Sequence, residues 1–504
     1  MPRNDKSEAT RNAREHLLDL RRQFDRFGID AAAPELMEVS PEELKIVLGA
    51  RARIIDVLKT DGRWDQLENL GDRDVEGLLL EMVRLCVQGR LQNYLGEAAI
   101  SHPVYNFFVG FDENAAGPWD STPIPEIPES PVAWTLMDIP VRFPIGVPAS
   151  GLTANSRWIR YFARRGFNVL TYKTVRSSEY GAHRWPHWVF IQDVDPWSKF
   201  ADRHAVKGDL SVWPKDFTHF STANSFGVPS PHPNVWRAEV EQSLSELSNG
   251  QLLIVSVMGT AEEHEGTALI DDFVKTALMA ESTGARAIEL NLSCPNTVRS
   301  GTGRGMRPLV CSDAITTEEI VGAVRAALKG TTKLVAKLGY LEKPHLAEVV
   351  GRIANSVDAI SGINTIQVPI TAPNSDITPF VGTATDASKL RVEAGISGSA
   401  IRNLGEQFVR NLADLRGDAK FEIIGMGGIM NVSDVGVFRK AGAAAVQTAT
   451  GACLNPNLPI DILNEGSYIS TSAVDVDQNP SPRLMHRIAR VVASGGYSLL
   501  SESR

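Results

Sequence analysis

A chain of 504 residues, 43% hydrophobic and 22% charged, can bury a large core, which excludes wholesale disorder. Its net charge of −9 excludes a surface built to neutralise nucleic-acid phosphates, because such surfaces need an excess of Lys and Arg. No run of roughly 18 apolar residues occurs, so no transmembrane helix is expected.

The chain starts MPRNDKSEATRNAREHLLDLRRQ, charged and without an apolar stretch ahead of a small-residue cleavage site, so no signal peptide is expected. The four cysteines (Cys86, Cys294, Cys311, Cys453) form no CxxC pair, which argues against a cysteine-ligated iron–sulfur or zinc site and fits a reducing cytoplasm. Residues 1–116 read as an N-terminal helical domain. Leu17, Leu18, Leu20, Phe24 and Phe27 fall close to one helical face, and Ser40 with Glu43 makes a capping box with Pro41 at the first helical position. Residues 117–139 are Pro-rich and polar, as a linker is.

From residue 140 the texture changes to short apolar runs alternating with amphipathic stretches. Eight runs read as strands: 142–150, 167–175, 252–259, 285–293, 333–341, 359–368, 421–428 and 443–451. Helical stretches such as NVWRAEVEQSLSELSNG, LIDDFVKTALMAESTG, TTEEIVGAVRAALKG and VSDVGVFRKAG lie between them. Continuous Val/Ile/Leu strands joined by crossover helices form a parallel sheet buried on both faces. Eight such units predict an α/β fold, a (β/α)8 TIM barrel over 140–470 with an N-terminal all-helical extension, followed by a tail at 471–504 with a final helix. The two long connections, 176–222 and 369–398, follow strands and so belong over the C-terminal mouth.

Polar residues gather at strand ends, where such barrels do chemistry. Lys173 ends the second strand, Asn291 through Asn296 the fourth, Lys337 the fifth, Asn364 with Thr365 the sixth, Gly427 with Gly428 the seventh, and Thr448 through Gly451 the eighth. A single Asn there can equally cap a helix, but six strands ending this way favour a site. GMGGIMN and GISGSAIR set Gly427, Gly428 and Gly398 before helices, a pattern suited to an anion such as phosphate. In IELNLSCPNT two asparagines flank Cys294, whose thiol, of pKa about 8.5, can exchange a proton near neutral pH. His183 and His204, in the long loop after Lys173, read as bystanders.

FPIGVPASG, LTYKTV, TANSFGVPS, ELNLSCPNT, VAKLG, GINT, GISG, IGMGGI and VQTATG occur in the order found in dihydroorotate dehydrogenases. Over residues 140 to about 455 the chain resembles that family, and also the related flavin domain of dihydropyrimidine dehydrogenase. The resemblance implies bound FMN and a CH–CH dehydrogenase acting on dihydroorotate or a related dihydropyrimidine in pyrimidine biosynthesis. It places Ala149, Ser150, Gly151, Lys173, Thr174, Asn291 and Lys337 along the flavin. Gly398, Gly427, Gly428, Ala449 and Thr450 would cradle its phosphate, with Ala449 standing where the family has glycine. Asn224, Asn291, Asn296 and Asn364, with Thr365 and Lys173, match the groups that hold the pyrimidine ring. Ser225, Phe226, Gly227 and Val228 occupy the loop that takes the substrate carboxylate, with Phe226 and Val228 replacing the usual Met and Leu.

Cys294 matches the catalytic base, which takes a ring proton while the adjacent carbon gives hydride to the flavin. A cysteine here resembles the soluble class 1 enzymes. No metal is implied. No dinucleotide fingerprint or iron–sulfur motif appears, so a nicotinamide route needs another subunit, and the electron acceptor stays open among fumarate, oxygen, a quinone and a protein partner. The helical front could bind that partner, seal the barrel bottom or form a homodimer face. Two other readings stand beside this one: a divergent flavin oxidoreductase working on another pyrimidine-like ring, and a catalytically silent flavin-binding scaffold. The joint presence of Lys173, Cys294 and four asparagines weighs against the scaffold.

Overall fold

The computed structural model describes residues 104–107, 110–118, 124, 126–127, 134–191, 205–209, 220–260, 267–293, 309–373 and 376–465. The helical reading of the first hundred residues, most of the linker and the tail at 471–504 lie outside them. The chain divides into two compact units, and the larger, Val109–Pro118 with Pro123–Asp475, carries the elements below.

A short hairpin comes first, β1 (Trp134–Leu136) and β2 (Ile139–Val141). The first barrel strands are β3 (Ile145–Val147) and β4 (Val169–Val175). An excursion then supplies β5 (Trp188–Ile191), β6 (Val206–Asp209) and β7 (Ser221–Asn224). The barrel resumes with β8 (Leu252–Val257), β9 (Ala287–Asn291), β10 (Lys333–Lys337) and β11 (Ala359–Gly362). A second excursion gives β12 (Ile366–Thr371) and β13 (Glu393–Gly398), before β14 (Glu422–Met426) and β15 (Ala445–Gln447) finish the ring.

Eight strands close in the order β3-β4-β8-β9-β10-β11-β14-β15, every pair parallel. Each falls within one of the eight runs expected from sequence. The helices that follow them are α1 (Ser156–Ala163), α2 (Pro233–Glu246), α3 (Thr267–Glu281), α4 (Ala314–Ala327), α5 (Lys343–Ile353), α6 (Arg402–Arg416), α7 (Val432–Lys440) and α8 (Leu458–Glu465). Their starts are chemically marked. Asn155 caps α1, Asp313 caps α4 and Asn431 caps α7, each accepting from a backbone N–H of the first turn.

Strands β4 and β8 are buried along their whole length, as expected of strands covered on both faces. Each such Val, Ile or Leu taken from water contributes about 1.5–3 kcal/mol before chain entropy is charged against it. The hairpin closes the N-terminal end of the barrel. Leu136, Met137, Ile139 and Val141 pack with Val169, Leu252, Ala287, Ala359 and Ala445, the first residues of five barrel strands. Its turn residues, Met137 and Asp138, have positive φ, and the Met137 amide donates to Glu422 at 2.8 Å.

One expected element is corrected. The sixth run, 359–368, is not one strand: β11 ends at Gly362, and β12 starts a different sheet at Ile366. The two long connections also carry more structure than a loop reading assigns. They build a five-stranded sheet, β12-β13-β7-β5-β6, which closes through a β12–β6 pair. Among the described residues no helix is long and apolar enough to cross a membrane, and no group of three or more His, Cys, Asp or Glu is placed to hold a metal.

Candidate active site

Where the C-terminal ends of the barrel strands meet the second sheet lies a cavity of about 560 Å³. All the expected site residues that the structure describes line it. Cys294 and Asn296 lie outside the described residues; Ser293, the last described residue before them, lines the cavity.

After β3, Ala149, Ser150 and Gly151 form the wall, and Ser150 caps the turn Gly151–Thr153 by accepting from Leu152 N at 3.2 Å. At the ends of β4 and β9 the side chains lock one another. Asn291 Nδ2 donates to Thr174 Oγ1 at 3.1 Å, and Thr174 Oγ1 lies 3.0 Å from Ser256 Oγ. Asn291 Oδ1 accepts from the Ser293 hydroxyl at 2.7 Å. Both ends of this amide are therefore used, which fixes its orientation toward the cavity. Lys173 is buried beside them.

Lys337, at the end of β10, is 2% exposed, and its ammonium meets no hydrogen-bond acceptor among the described residues. Burial lowers its pKa, and the Glu289 carboxylate opposes that shift. Glu289, itself buried, accepts from Ser361 at 2.9 Å. Asn364 and Thr365 sit in the break between β11 and β12. Asn224, at the end of β7, donates to Gly395 O at 3.1 Å.

The last two barrel strands deliver Gly427, Gly428, Ala449 and Thr450, and β13 delivers Gly398. Gly428 has φ of +83, and a Cβ there would lie 2.6 Å from the backbone N and Cα of Arg402. Gly428→Ala is therefore expected to destabilise the fold by about 1–3 kcal/mol, read as a lower urea midpoint with an unchanged slope.

His183 lines the cavity beneath Gly227, while His204 lies outside the described residues. Its Nδ1 accepts from Ala384 N at 3.2 Å, so the ring is neutral there. Burial, then Arg391, His187, Arg176 and Lys389, lowers its pKa from 6.5 to about 4. The unfolded chain takes up this proton near 6.5 and the folded one near 4, so the stability involved is complete above 6.5 and lost as pH falls toward 4. His183→Gln is expected to flatten the fall of Tm across that window; an unchanged pH profile would refute the assignment.

Sequence reasoning missed Arg176, Gln367, Arg391 and Gln447, all of which line the cavity. Arg176 and Gln447 carried a weak signal as polar residues at or near the ends of barrel strands. Gln367 and Arg391 lie in the second excursion, where local pattern says nothing about the site.

This geometry defines the class: a (β/α)8 barrel with a polar, cation-bearing chamber at the strand ends. A sequence model of the family described as dihydroorotate dehydrogenase matches residues 216–465. The chain is 30% identical to a dihydroorotate dehydrogenase of Dictyostelium discoideum over 322 residues, covering 62% of this chain and 82% of that protein. With the catalytic subunit of dihydroorotate dehydrogenase B (NAD(+)) of Bacteroides fragilis it shares 32% over 222 residues, 42% of this chain and 61% of that subunit. In fold it is similar to the Eimeria tenella enzyme crystallised with ferulenol, at a TM-score of 0.51 and 17% identity, covering 68% of this chain and 86% of that one. The chain belongs to the dihydroorotate dehydrogenase family. It is an oxidoreductase of the class acting on CH–CH bonds.

Proposed function

We propose that the chamber holds FMN and oxidises dihydroorotate, or a closely related dihydropyrimidine, across a CH–CH bond. The observation that carries this reading is Lys337, a buried cation with no hydrogen-bond acceptor among the described residues, in one cavity with the fixed Asn291 amide and the glycine turns of the last strands. A buried ammonium is costly unless an electron-rich ligand meets it, and the buried Gln447 Oε1, also without a partner, asks for a donor.

Those groups fit a flavin. Gly398, Gly427, Gly428, Ala449 and Thr450 would hold its phosphate, and Ala149, Ser150, Gly151, Lys173, Thr174, Asn291 and Lys337 its ring system. When bound, FMN supplies a two-electron acceptor for hydride. The chain's own residues do the rest. Asn224, Asn291, Asn296 and Asn364, with Thr365, offer donors and acceptors to the carbonyl and N–H edges of a pyrimidine, and a ring lacking those edges would leave them unpaired. Lys173 joins the cofactor side to the substrate side. Cys294 accepts the proton from the ring carbon next to the one that loses hydride, so that C–H and C–H become C=C. The Ser225–Val228 turn faces the substrate carboxylate.

The test is direct. The purified protein is expected to be yellow, to release FMN on denaturation, and to bleach anaerobically with dihydroorotate. A colourless protein that refuses FMN sinks the proposal. Bleaching by an uncharged dihydropyrimidine, and not by dihydroorotate, would move the substrate to another ring.

A further inference from the structure

The Ser225–Val228 turn is held from behind by groups far away in sequence. Ser225 O accepts from Arg391 Nη1 at 2.6 Å, and Phe226 O from the His183 amide at 3.0 Å. Gly227 O and Val228 O accept from Nη2 and Nε of Arg176, each at 3.0 Å. All four carbonyls are thus committed to the protein. The Gly227 and Val228 amides have no acceptor among the described residues. Gly227 has φ of +79 and Val228 of +54, the latter a conformation that a β-branched residue avoids without external restraint. Consecutive backbone amides freed in such a turn make a receptor for an anion.

The charges point the same way. Lys173, Arg176, Lys337, Lys389 and Arg391 line the cavity against one acidic side chain, Glu393, in a chain whose net charge is −9. Arg176 is 1% exposed and Arg391 7%, and neither pairs with a carboxylate among the described residues. Arg391 also spends Nη2 on the carbonyls of Arg184, Pro186 and Val381, yet its buried Nε has no partner. Arg176 stacks on the Tyr180 ring, 3.9 Å from its centroid. Two guanidinium groups buried without a carboxylate partner among the described residues cost free energy that a ligand anion at this turn would offset.

We propose that Arg176 and Arg391 are positioning residues: they lock from behind the Ser225–Val228 turn already assigned to the substrate carboxylate, so that preference for the acidic ring over an uncharged one depends on these two side chains. The proposal rests on the reading of the chamber as a pyrimidine site. Burial brings the Arg391 pKa down to about 10, so the side chain keeps its charge at neutral pH.

The experiment titrates the flavin-loaded protein with orotate and with uracil, the same ring without the carboxylate, following the perturbation of the flavin spectrum. Wild type is expected to favour orotate. Arg391→Gln should weaken orotate about 10- to 100-fold and leave uracil within about threefold, with Arg391→Lys in between. Arg176→Lys, which keeps the charge but loses the fork, should shift the ratio the same way and serves if Arg391→Gln does not fold. Variants that keep the wild-type ratio, or weaken both ligands equally, overturn the proposal. A wild-type spectrum that responds to neither ligand overturns the pyrimidine reading itself, and this inference with it.

Discussion

Replacing Cys294 by alanine is expected to slow substrate-driven bleaching by about 10²- to 10⁴-fold, the usual worth of a positioned general base. The bound-flavin spectrum should not change, because the cofactor groups proposed above lie on other residues. The thiolate is the form that takes a proton, and an unperturbed thiol ionises near pH 8.5. The wild-type single-turnover rate should therefore climb with pH, with a slope of one on logarithmic axes, until the thiol is ionised. In Cys294→Ala this rise should vanish. Serine in its place, with a far less acidic hydroxyl, should recover only part of the loss. Rapid-mixing measurements between pH 6 and 9 decide the matter, and an alanine variant with wild-type rate and pH slope would remove Cys294 from the mechanism.

The second large effect is expected at Lys337. Methionine there keeps length and packing but removes the buried charge that the cavity presents to its ligand. A charge-assisted contact is worth about 1.5–3 kcal/mol, and for a two-electron couple its loss lowers the flavin midpoint potential by about 30–60 mV. Substrate oxidation should slow in step. Glu289 is the buried charged group that acts on this lysine. The double variant Lys337→Met with Glu289→Gln separates the two contributions. A potential unmoved in both variants would show that the ammonium does not face the electron-accepting group.

The barrel was legible because its strands are unbroken apolar runs, such as LLIVSV in β8, separated by stretches of helical period. The second sheet was not. STAN in β7 and EAGISG in β13 are short, small and polar, and they become strands through the ladder they share, with Asn224 opposite Gly395 and Ser221 opposite Gly398. The end of β11 leaves no local mark for a related reason, since ISGINTIQV reads as one β-rich run although its two halves join different sheets. Site residues at strand ends could be found from strand order alone. Arg391 could not, because its hydrogen bond to Ser225 links positions 166 residues apart and leaves no local trace. Nothing in the sequence around His183 marks it, and only the packing against Gly227 places it at the chamber.

That separation has a consequence for biosynthesis. The turn at residue 225 cannot take its final shape until Arg391 has left the ribosome, and at roughly 5–20 residues per second the wait is roughly 8–33 s. Throughout it, β7 lacks β13 and offers a bare hydrogen-bonding edge to any neighbouring nascent chain. The half-made mouth, more than the barrel beneath it, is where a chaperone would have most to protect.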